Sequence, residues 1–270
     1  MSEPTVLGAR HPDVKRLRTL LRDRSARDAE RVFVLEGPNV VDGALDRGAE
    51  LHALYLGYGA RSGFRRLVER VEALGVPVVE LKEGVLEKVG TTRTPQPVLA
   101  VAGHVTRSVG ALARDGLVLV AVGVADPGNL GTLLRSAEAA GAAGVVCTAN
   151  SVDVHNPKTV RSSAGALFGV TVAEEGDPMA VLATLAAAGR RCYATRAHAA
   201  RAYDRVDLVT PCAVVLGNEA HGLDPAIEDA VDDVVSIPMT GPAESLNVAM
   251  AGTLIAFEAD RQRRASRVTP

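Results

Sequence analysis

The chain has few of the residues on which several common classes of protein depend. Its 270 residues include no tryptophan, aromatic residues make up 3%, and the three cysteines are Cys147, Cys192 and Cys212. So few aromatics argue against a domain that stacks unpaired bases on a sheet, as RRM and OB domains do. Because the cysteines lie in apolar runs without metal-ligand spacing, we predict buried, reduced thiols and no metal site.

Long apolar runs are also missing. No stretch approaches the length of a membrane span, and residues 1–30 contain no apolar region typical of a signal peptide. We therefore expect a cytoplasmic protein that does not bind a membrane. Hydrophobic residues make up 47% of the chain and charged residues 23%, which indicates a folded protein long enough for two domains.

Two nucleotide-binding fingerprints are absent as well. Gly123, Gly128 and Gly131 do not form G-x-G-x-x-G, and no G-K-[ST] follows to make a P-loop. A nicotinamide-dependent oxidoreductase is therefore a weak alternative.

Charge is distributed unevenly along the chain. Residues 1–104 carry 16 Lys or Arg against 14 Asp or Glu, and the remainder carries 14 against 18. Basic residues concentrate near both ends, at Lys15, Arg16, Arg18, Arg22, Arg24, Arg27 and Arg31 and at Arg261, Arg263, Arg264 and Arg267. Such clusters either meet nucleic-acid phosphates or form solvated surfaces, and charge alone does not decide between the two.

Apolar segments typical of strands alternate with segments of helical periodicity, which predicts an α/β fold in two domains. Residues 1–104 form the smaller one, with strands near 32–37, 52–57, 76–81 and 98–102 and helices near 10–24, 40–45 and 64–74. Residues 105–116 form a linker. Residues 117–270 form the second, with strands near 117–122, 144–148, 191–195, 213–216 and 234–237 and helices near 130–140, 179–188, 224 onward and 246–261. This order predicts a mostly parallel sheet covered on both faces.

Three polar loops follow three of the strands in the second domain. The first carries Asn129, which we expect to cap a helix, and Arg135, which lies off the apolar stripe of that helix. The second has Gly217 and Glu219 near His221, and the third has Ser245 and Asn247 at the mouth of a helix. Alone, each reads equally well as a cap or a polar turn. Because carboxyl ends of parallel strands meet at one edge, the three together predict a ligand crevice.

The three loops resemble motifs 1, 2 and 3 of the SpoU (TrmH-type) RNA ribose 2′-O-methyltransferases of the SPOUT superfamily. The matching text is DPGNLGTLLRSAEAAG, then VVLGNEAHGL, then IPMTGPAESLNVAMAG, and NPKTVRSSAGALFGV at 156–170 is also similar. Residues 10–104, especially RVFVLEGPNVVDGAL, resemble the L30e-like RNA substrate-binding domain that precedes the catalytic domain in many members.

The resemblance implies a trefoil knot in the C-terminal domain, S-adenosylmethionine as methyl donor, and a homodimer in which motif 1 reaches the partner's cofactor. It implies cofactor binding by Leu216, Gly217, Asn218, Ile237, Met239 and Leu246. It implies a reacting centre formed by Arg135, Asn129, Ser245, Asn247 and Glu219. The expected substrate is a ribose in structured RNA, foremost 23S ribosomal RNA. The alternatives are tRNA methylation, an antibiotic-resistance rRNA methylation, and a non-catalytic RNA-binding homologue.

The family's proposal that the motif 1 arginine acts as a general base conflicts with the chemistry of Arg135. A guanidinium is effectively always protonated and has no acceptor. We therefore expect Arg135 to supply a fixed positive charge that binds a phosphate and stabilises the developing alkoxide.

Overall fold

A computed structural model describes residues 5–92, 94–112 and 114–268. The strands are β1 (Thr5–Leu7), β2 (Val32–Glu36), β3 (Leu51–Leu56), β4 (Val78–Leu81), β5 (Val98–Gly103), β6 (Leu117–Ala121), β7 (Gly144–Thr148), β8 (Val172–Glu175), β9 (Arg191–Thr195), β10 (Arg201–Ala202), β11 (Cys212–Leu216) and β12 (Asp233–Ser236). The α-helices are α1 (Pro12–Arg22), α2 (Arg24–Glu30), α3 (Pro38–Asp46), α4 (Arg65–Ala73), α5 (Leu86–Val89), α6 (Pro127–Ala139), α7 (Pro157–Ser162), α8 (Pro178–Ala187), α9 (Pro225–Asp229) and α10 (Val248–Val268). No helix within these described ranges is long and apolar enough to cross a bilayer.

The chain forms two compact units. The first runs to Val105 and also takes in His155–Phe168, and the second holds Thr106–Val154 and continues from Gly169. The sequence-based boundaries placed His155–Phe168 in the second domain, and the structure differs there. The reason is long-range packing, because Phe168 stacks on Phe33 with ring centroids 6.1 Å apart.

The first unit contains a five-stranded sheet in the order β1-β4-β3-β5-β2. Strand β5 runs antiparallel to both β2 and β3, whereas β1, β3 and β4 pair in parallel. Helix α1 packs an apolar stripe of Val14, Leu17, Leu20 and Leu21 into the core. The basic segment of α1 and α2 is partly neutralised, since Arg16 pairs with Glu30 at 2.6 Å and Arg24 pairs with Asp28 at 3.5 Å, and Arg27 is buried.

The second unit contains a seven-stranded sheet in the order β10-β12-β9-β11-β6-β7-β8, and every pair is parallel. Each residue of β6, β7 and β11 is buried, as expected for strands covered on both faces. Val118 and Val120 pack toward α8, and the opposite face packs under α6 and α10. This confirms the predicted mostly parallel α/β architecture.

Helices α6 and α10 approach each other closely at Gly252. A Cβ at this position would lie 2.3 Å from Leu133 Cδ1 and 2.9 Å from Leu216 Cδ1, so a side chain would not fit without movement. The Ser136 and Thr253 hydroxyls also meet across the two helices at 2.6 Å. Because Leu216 ends β11, this contact holds α6 and α10 against the carboxyl end of that strand.

The three cysteines are buried, as predicted, and form no disulfide. Burial raises the pKa of the Cys192 and Cys212 thiols to about 11, so both stay protonated at neutral pH.

Candidate functional site at the carboxyl edge of the second sheet

Helix α6 begins at Pro127, three residues earlier than the sequence indicated. Asp126 is its N-cap: its Oδ1 accepts hydrogen bonds from the backbone N–H groups of Gly128 at 2.7 Å and Asn129 at 3.0 Å. The prediction that Asn129 caps the helix is therefore wrong. Pro127 at the first helical position was the signal, since proline favours that position and puts the cap on the preceding residue.

Because Asp126 provides the cap, the amide of Asn129 is available for other contacts. Its Nδ2 donates to Glu219 Oε1 at 2.8 Å, and its Oδ1 accepts from Asn247 Nδ2 at 2.9 Å. Glu219 Oε2 in turn accepts from the backbone N–H of Ala125 at 3.5 Å. This chain of contacts, which we call the amide relay, joins the loops after β6 and β11 to the start of α10.

Asn247 has a second function as the cap of α10. Its Oδ1 accepts from the backbone N–H groups of Ala249 at 2.9 Å and Met250 at 3.3 Å. The helix therefore begins at Val248, not at Leu246 as predicted, and continues to Val268. One side chain thus holds the start of α10 with its oxygen and the first turn of α6 with its nitrogen.

The loop after β11 is closed on itself. Asn218 and Gly222 exchange backbone hydrogen bonds of 3.1 and 2.9 Å, and the Asn218 side chain donates to Gly123 O at 2.7 Å. A Cβ at Gly217 would lie 2.5 Å from the carbonyl carbon of Gly222, so no other residue fits without opening the turn. This close backbone approach explains why a glycine follows the strand.

The loops after β9, β11 and β12 surround a cavity of about 570 Å³. All of the predicted site residues line it except Asn129, Arg135 and Asn247. The lining members are Leu216, Gly217, Asn218, Glu219, Ile237, Met239, Ser245 and Leu246. The structure therefore brings the predicted cofactor residues together around one space, and the amide relay connects that space to α6.

The sequence analysis missed the contribution of the strand between β11 and β12. Strand β9 lies between them in the sheet, so Thr195 and Arg196 also line the cavity, together with Tyr203 and Glu228. Burial, with smaller contributions from Glu258 and Asp204, raises the pKa of the Tyr203 hydroxyl. No local motif marks these positions, and only the strand order would have revealed them.

Arg135 lies on α6, outside the cavity. The apolar stripe of Leu130, Leu133, Leu134 and Ala137 is buried as predicted, whereas Arg135 is exposed. Within the described part of the chain, it makes no hydrogen bond or ion pair. The arginine is therefore available to a molecule outside this chain.

Two family models match most of the chain. The SpoU rRNA Methylase family matches residues 116–257, and the MRM3-like substrate binding domain matches residues 11–100. The 23S rRNA (guanosine(2553)-2′-O)-methyltransferase RlmP of Bacillus subtilis (strain 168) is 32% identical over 237 residues, covering 88% of this chain and 92% of its own. The 23S rRNA (uridine(2479)-2′-O)-methyltransferase of Streptomyces viridochromogenes is 31% identical over 268 residues, covering 96% and 93%.

A solved structure matches over nearly the whole chain. The AdoMet-bound rRNA methyltransferase from Sinorhizobium meliloti has a TM-score of 0.84 at 29% identity, covering 95% of this chain and 98% of its own. The family match spans more than half of the chain and includes all three loops of the cavity and the amide relay. The protein is therefore a member of the SpoU rRNA methylase family.

Proposed function

We propose that this protein transfers a methyl group from S-adenosylmethionine to a ribose 2′-hydroxyl of 23S ribosomal RNA. The observation that carries the proposal is the amide relay of Asn247, Asn129 and Glu219, which joins all three motif loops beside one cavity. Relatives named as 23S rRNA 2′-O-methyltransferases, similar over most of their length, support the substrate class.

The cavity fits the cofactor by its donor set. Leu216, Ile237 and Leu246 supply apolar surface and backbone groups for an adenosine, and Gly217 lets the backbone come close. Asn218 and Met239 complete the same wall. When bound there, the cofactor supplies an activated methyl group on its sulfonium. The protein's own task is to hold that methyl group in line with the ribose oxygen and to exclude water.

The residues of the reacting centre divide between contact and positioning. Ser245 lines the cavity and is the candidate to touch the reacting end. The amide of Asn247 is engaged by α10 and Asn129, so we assign it to positioning of the loops. Glu219 lines the cavity while its carboxyl group orients Asn129.

Arg135 supplies positive charge to the transition state in this proposal. Its guanidinium has no acceptor, so it cannot take the ribose proton. An exposed arginine without a partner among the described residues fits a role in binding an RNA phosphate and stabilising the developing alkoxide.

We further propose a homodimer in which Arg135 of one subunit approaches the cavity of the other. Met250, Leu254 and Phe257 repeat at helical spacing on α10 and are 57%, 43% and 45% exposed. Water-exposed apolar stripes of this kind mark interaction surfaces. Leu254→Glu should convert the dimer to a monomer in analytical ultracentrifugation, whereas Leu74→Glu, at another exposed leucine, should not.

The N-terminal substrate-binding domain over residues 1–104, the trefoil knot and cytoplasmic location stay predictions of this proposal. The match to an MRM3-like substrate binding domain supports assigning RNA docking to the first unit.

The proposal is tested by giving the purified protein S-adenosylmethionine labelled in the methyl group and in-vitro transcribed 23S rRNA. Label should enter the RNA, and mapping should find one 2′-O-methylated nucleotide. The same nucleotide should lack the methyl group in RNA from a strain deleted for the gene. Label entering tRNA alone would support the tRNA alternative. Cofactor binding without transfer to either RNA would support the non-catalytic one.

A further inference from the structure

Arg196 is the one lysine or arginine among the described residues that line the cavity. It follows β9 directly, and its backbone N–H donates to Val235 O at 3.0 Å, which extends the pairing between β9 and β12. Next to it, the Thr195 hydroxyl donates to Val215 O at 2.8 Å. The backbone that carries Arg196 is therefore fixed from both sides.

The side chain of Arg196 is held by Glu228 of α9. Its Nε donates to Glu228 Oε1 at 3.1 Å, and Nη2 meets the other carboxyl oxygen. Glu228 also lines the cavity, and only 11% of its side chain is exposed, whereas Arg196 is 56% exposed. The glutamate thus anchors the arginine at the wall, and the guanidinium keeps further donors for a ligand.

Arg196 itself is 56% exposed, so solvent screening weakens what the pair contributes to stability. Stability alone is therefore a weak reason for a charged pair at this wall. The cofactor offers a stronger one. Its methionine end carries a carboxylate and an ammonium group, and the residues predicted from the motifs supply mainly apolar surface and backbone groups for the adenosine.

We propose, resting on the function proposed above, that the Arg196–Glu228 pair recognises the amino-acid end of S-adenosylmethionine. Arg196 binds the carboxylate through the donors that Glu228 leaves open, and Glu228 accepts from the ammonium group. Planar guanidinium groups suit carboxylates because two N–H groups can donate in parallel. A zwitterion thereby meets a pair of opposite charges already held together by the protein.

The other charged groups of the cavity are less suited to this role. Glu219 is engaged in the amide relay, and Glu244 and His221 are exposed in loops. Both glutamates are anions and repel the carboxylate of the ligand. Arg196 is therefore left to bind that end.

The test compares two ligands that differ in the amino-acid end. S-adenosylhomocysteine keeps it, and 5′-methylthioadenosine lacks it while keeping the adenosine and the sulfur. Calorimetric titration of the full-length protein should give a lower Kd for S-adenosylhomocysteine. Arg196→Gln should raise that Kd about 10- to 100-fold, in the range expected for loss of a charged hydrogen bond, and should change the Kd of 5′-methylthioadenosine less than about twofold. Arg196→Lys should fall between the two.

Arg201→Gln is the matched control. Arg201 is 57% exposed and pairs with Asp233 at 3.1 Å, but it does not line the cavity. This variant should leave both affinities unchanged.

Equal weakening of both ligands by Arg196→Gln would overturn the proposal, because it would place the arginine at the adenosine or in the shape of the cavity. No weakening of either ligand would also overturn it. Failure of the proposed function looks different, since the wild-type protein would then bind neither ligand or would bind both and methylate no RNA.

Discussion

Glu36 and Glu219 occupy comparable places in the two units and have opposite environments. Glu36 ends β2 and accepts from the backbone N–H of Thr91 at 3.0 Å and from its hydroxyl at 2.5 Å. Glu219 follows β11 and accepts from Asn129 and from the backbone N–H of Ala125. Glu36 is 4% exposed and pairs with Arg161. Glu219 is exposed and pairs with no cation among the described residues.

The difference follows from what each environment demands. A buried carboxylate requires a cation and hydrogen bonds, because desolvation otherwise costs several kcal/mol. An exposed one needs neither, so its partners can be neutral amides that rearrange when a ligand binds. The first unit thus uses its glutamate to hold α7 against β2, and the second uses its glutamate to join the loops of a site.

Breaking the buried pair should have the largest effect on stability. Arg161→Gln leaves Glu36 with Thr91 alone, and we expect it to lower the free energy of unfolding by about 3 kcal/mol. Arg70→Gln removes an exposed arginine bonded to Asp42 and Asp46 at 2.8 and 2.7 Å, and its cost should be much smaller because water screens the pair. Urea denaturation measures both.

The double variant Glu36→Gln with Arg161→Gln provides a further check. It should be more stable than Arg161→Gln alone, because no buried charge is then left unpaired. Equal losses at Arg161 and Arg70 would remove the contrast between buried and exposed pairs.

The second-largest effect should come from acidification, again in the first unit. Burial, then His104 and Arg27, lowers the pKa of His155 to about 2, and its Nε2 accepts from Val105 N–H at 3.3 Å. The unfolded chain takes up this proton below about pH 6.5 and the folded chain does not, so stability is full above that pH and falls as pH falls toward 2. By pH 5 the loss should be about 2 kcal/mol.

His155→Phe should flatten this dependence in denaturation series between pH 7 and pH 5. His221→Ala, at an exposed loop histidine of the second unit, should leave it as in the wild type. A slope that survives in His155→Phe would assign the effect to other groups.

The sequence predicted the parts of the fold that depend on local pattern. The bounds of β7 and β9 were predicted as observed, and β7 was recognisable because a strand buried on both faces reads as a continuous apolar run. Strands β1 and β10 were missed because three and two residues are too few to set up a pattern, and β8 was missed because two of its four residues are glutamates. The placement of His155–Phe168 in the first unit was missed because packing on Phe33 is a contact between distant residues.

The site was predictable where a loop carries its own motif. Gly217, Glu219 and Ser245 could be found because each follows a strand at a recognisable loop, and they line the cavity. The Arg196–Glu228 pair joins residues that only the strand order brings together. The helix cap was assigned to Asn129 instead of Asp126. Pro127 favours the first helical position, which makes the preceding residue, Asp126, the cap.

A smaller change should come from the amide relay. Asn247→Ala removes the cap of α10 and the donor to Asn129, and should lower the free energy of unfolding by about 1 kcal/mol. Asn247→Asp keeps the capping oxygen but cannot donate to Asn129 Oδ1. It should recover the stability measured by thermal unfolding, whereas its methylation rate should stay below that of the wild type. Recovery of both would show that the cap, and not the link to Asn129, is what the site needs.

Arg135 should have the smallest effect on stability and a large one on rate. It is exposed and has no partner within the described residues, so Arg135→Ala should change the free energy of unfolding by less than about 0.5 kcal/mol. Loss of a positioned charge at the transition state should lower kcat about 10²- to 10³-fold.

Arg135→Lys keeps a charge without the guanidinium fork and should retain part of the rate with the wild-type dependence on pH. A rate of the Lys variant that rises as the lysine loses its proton would instead indicate a base at this position. A stability loss as large as that of Arg161→Gln would mean that Arg135 is structural. The contrast between a stabilising arginine in the first unit and a functional arginine in the second would then be wrong.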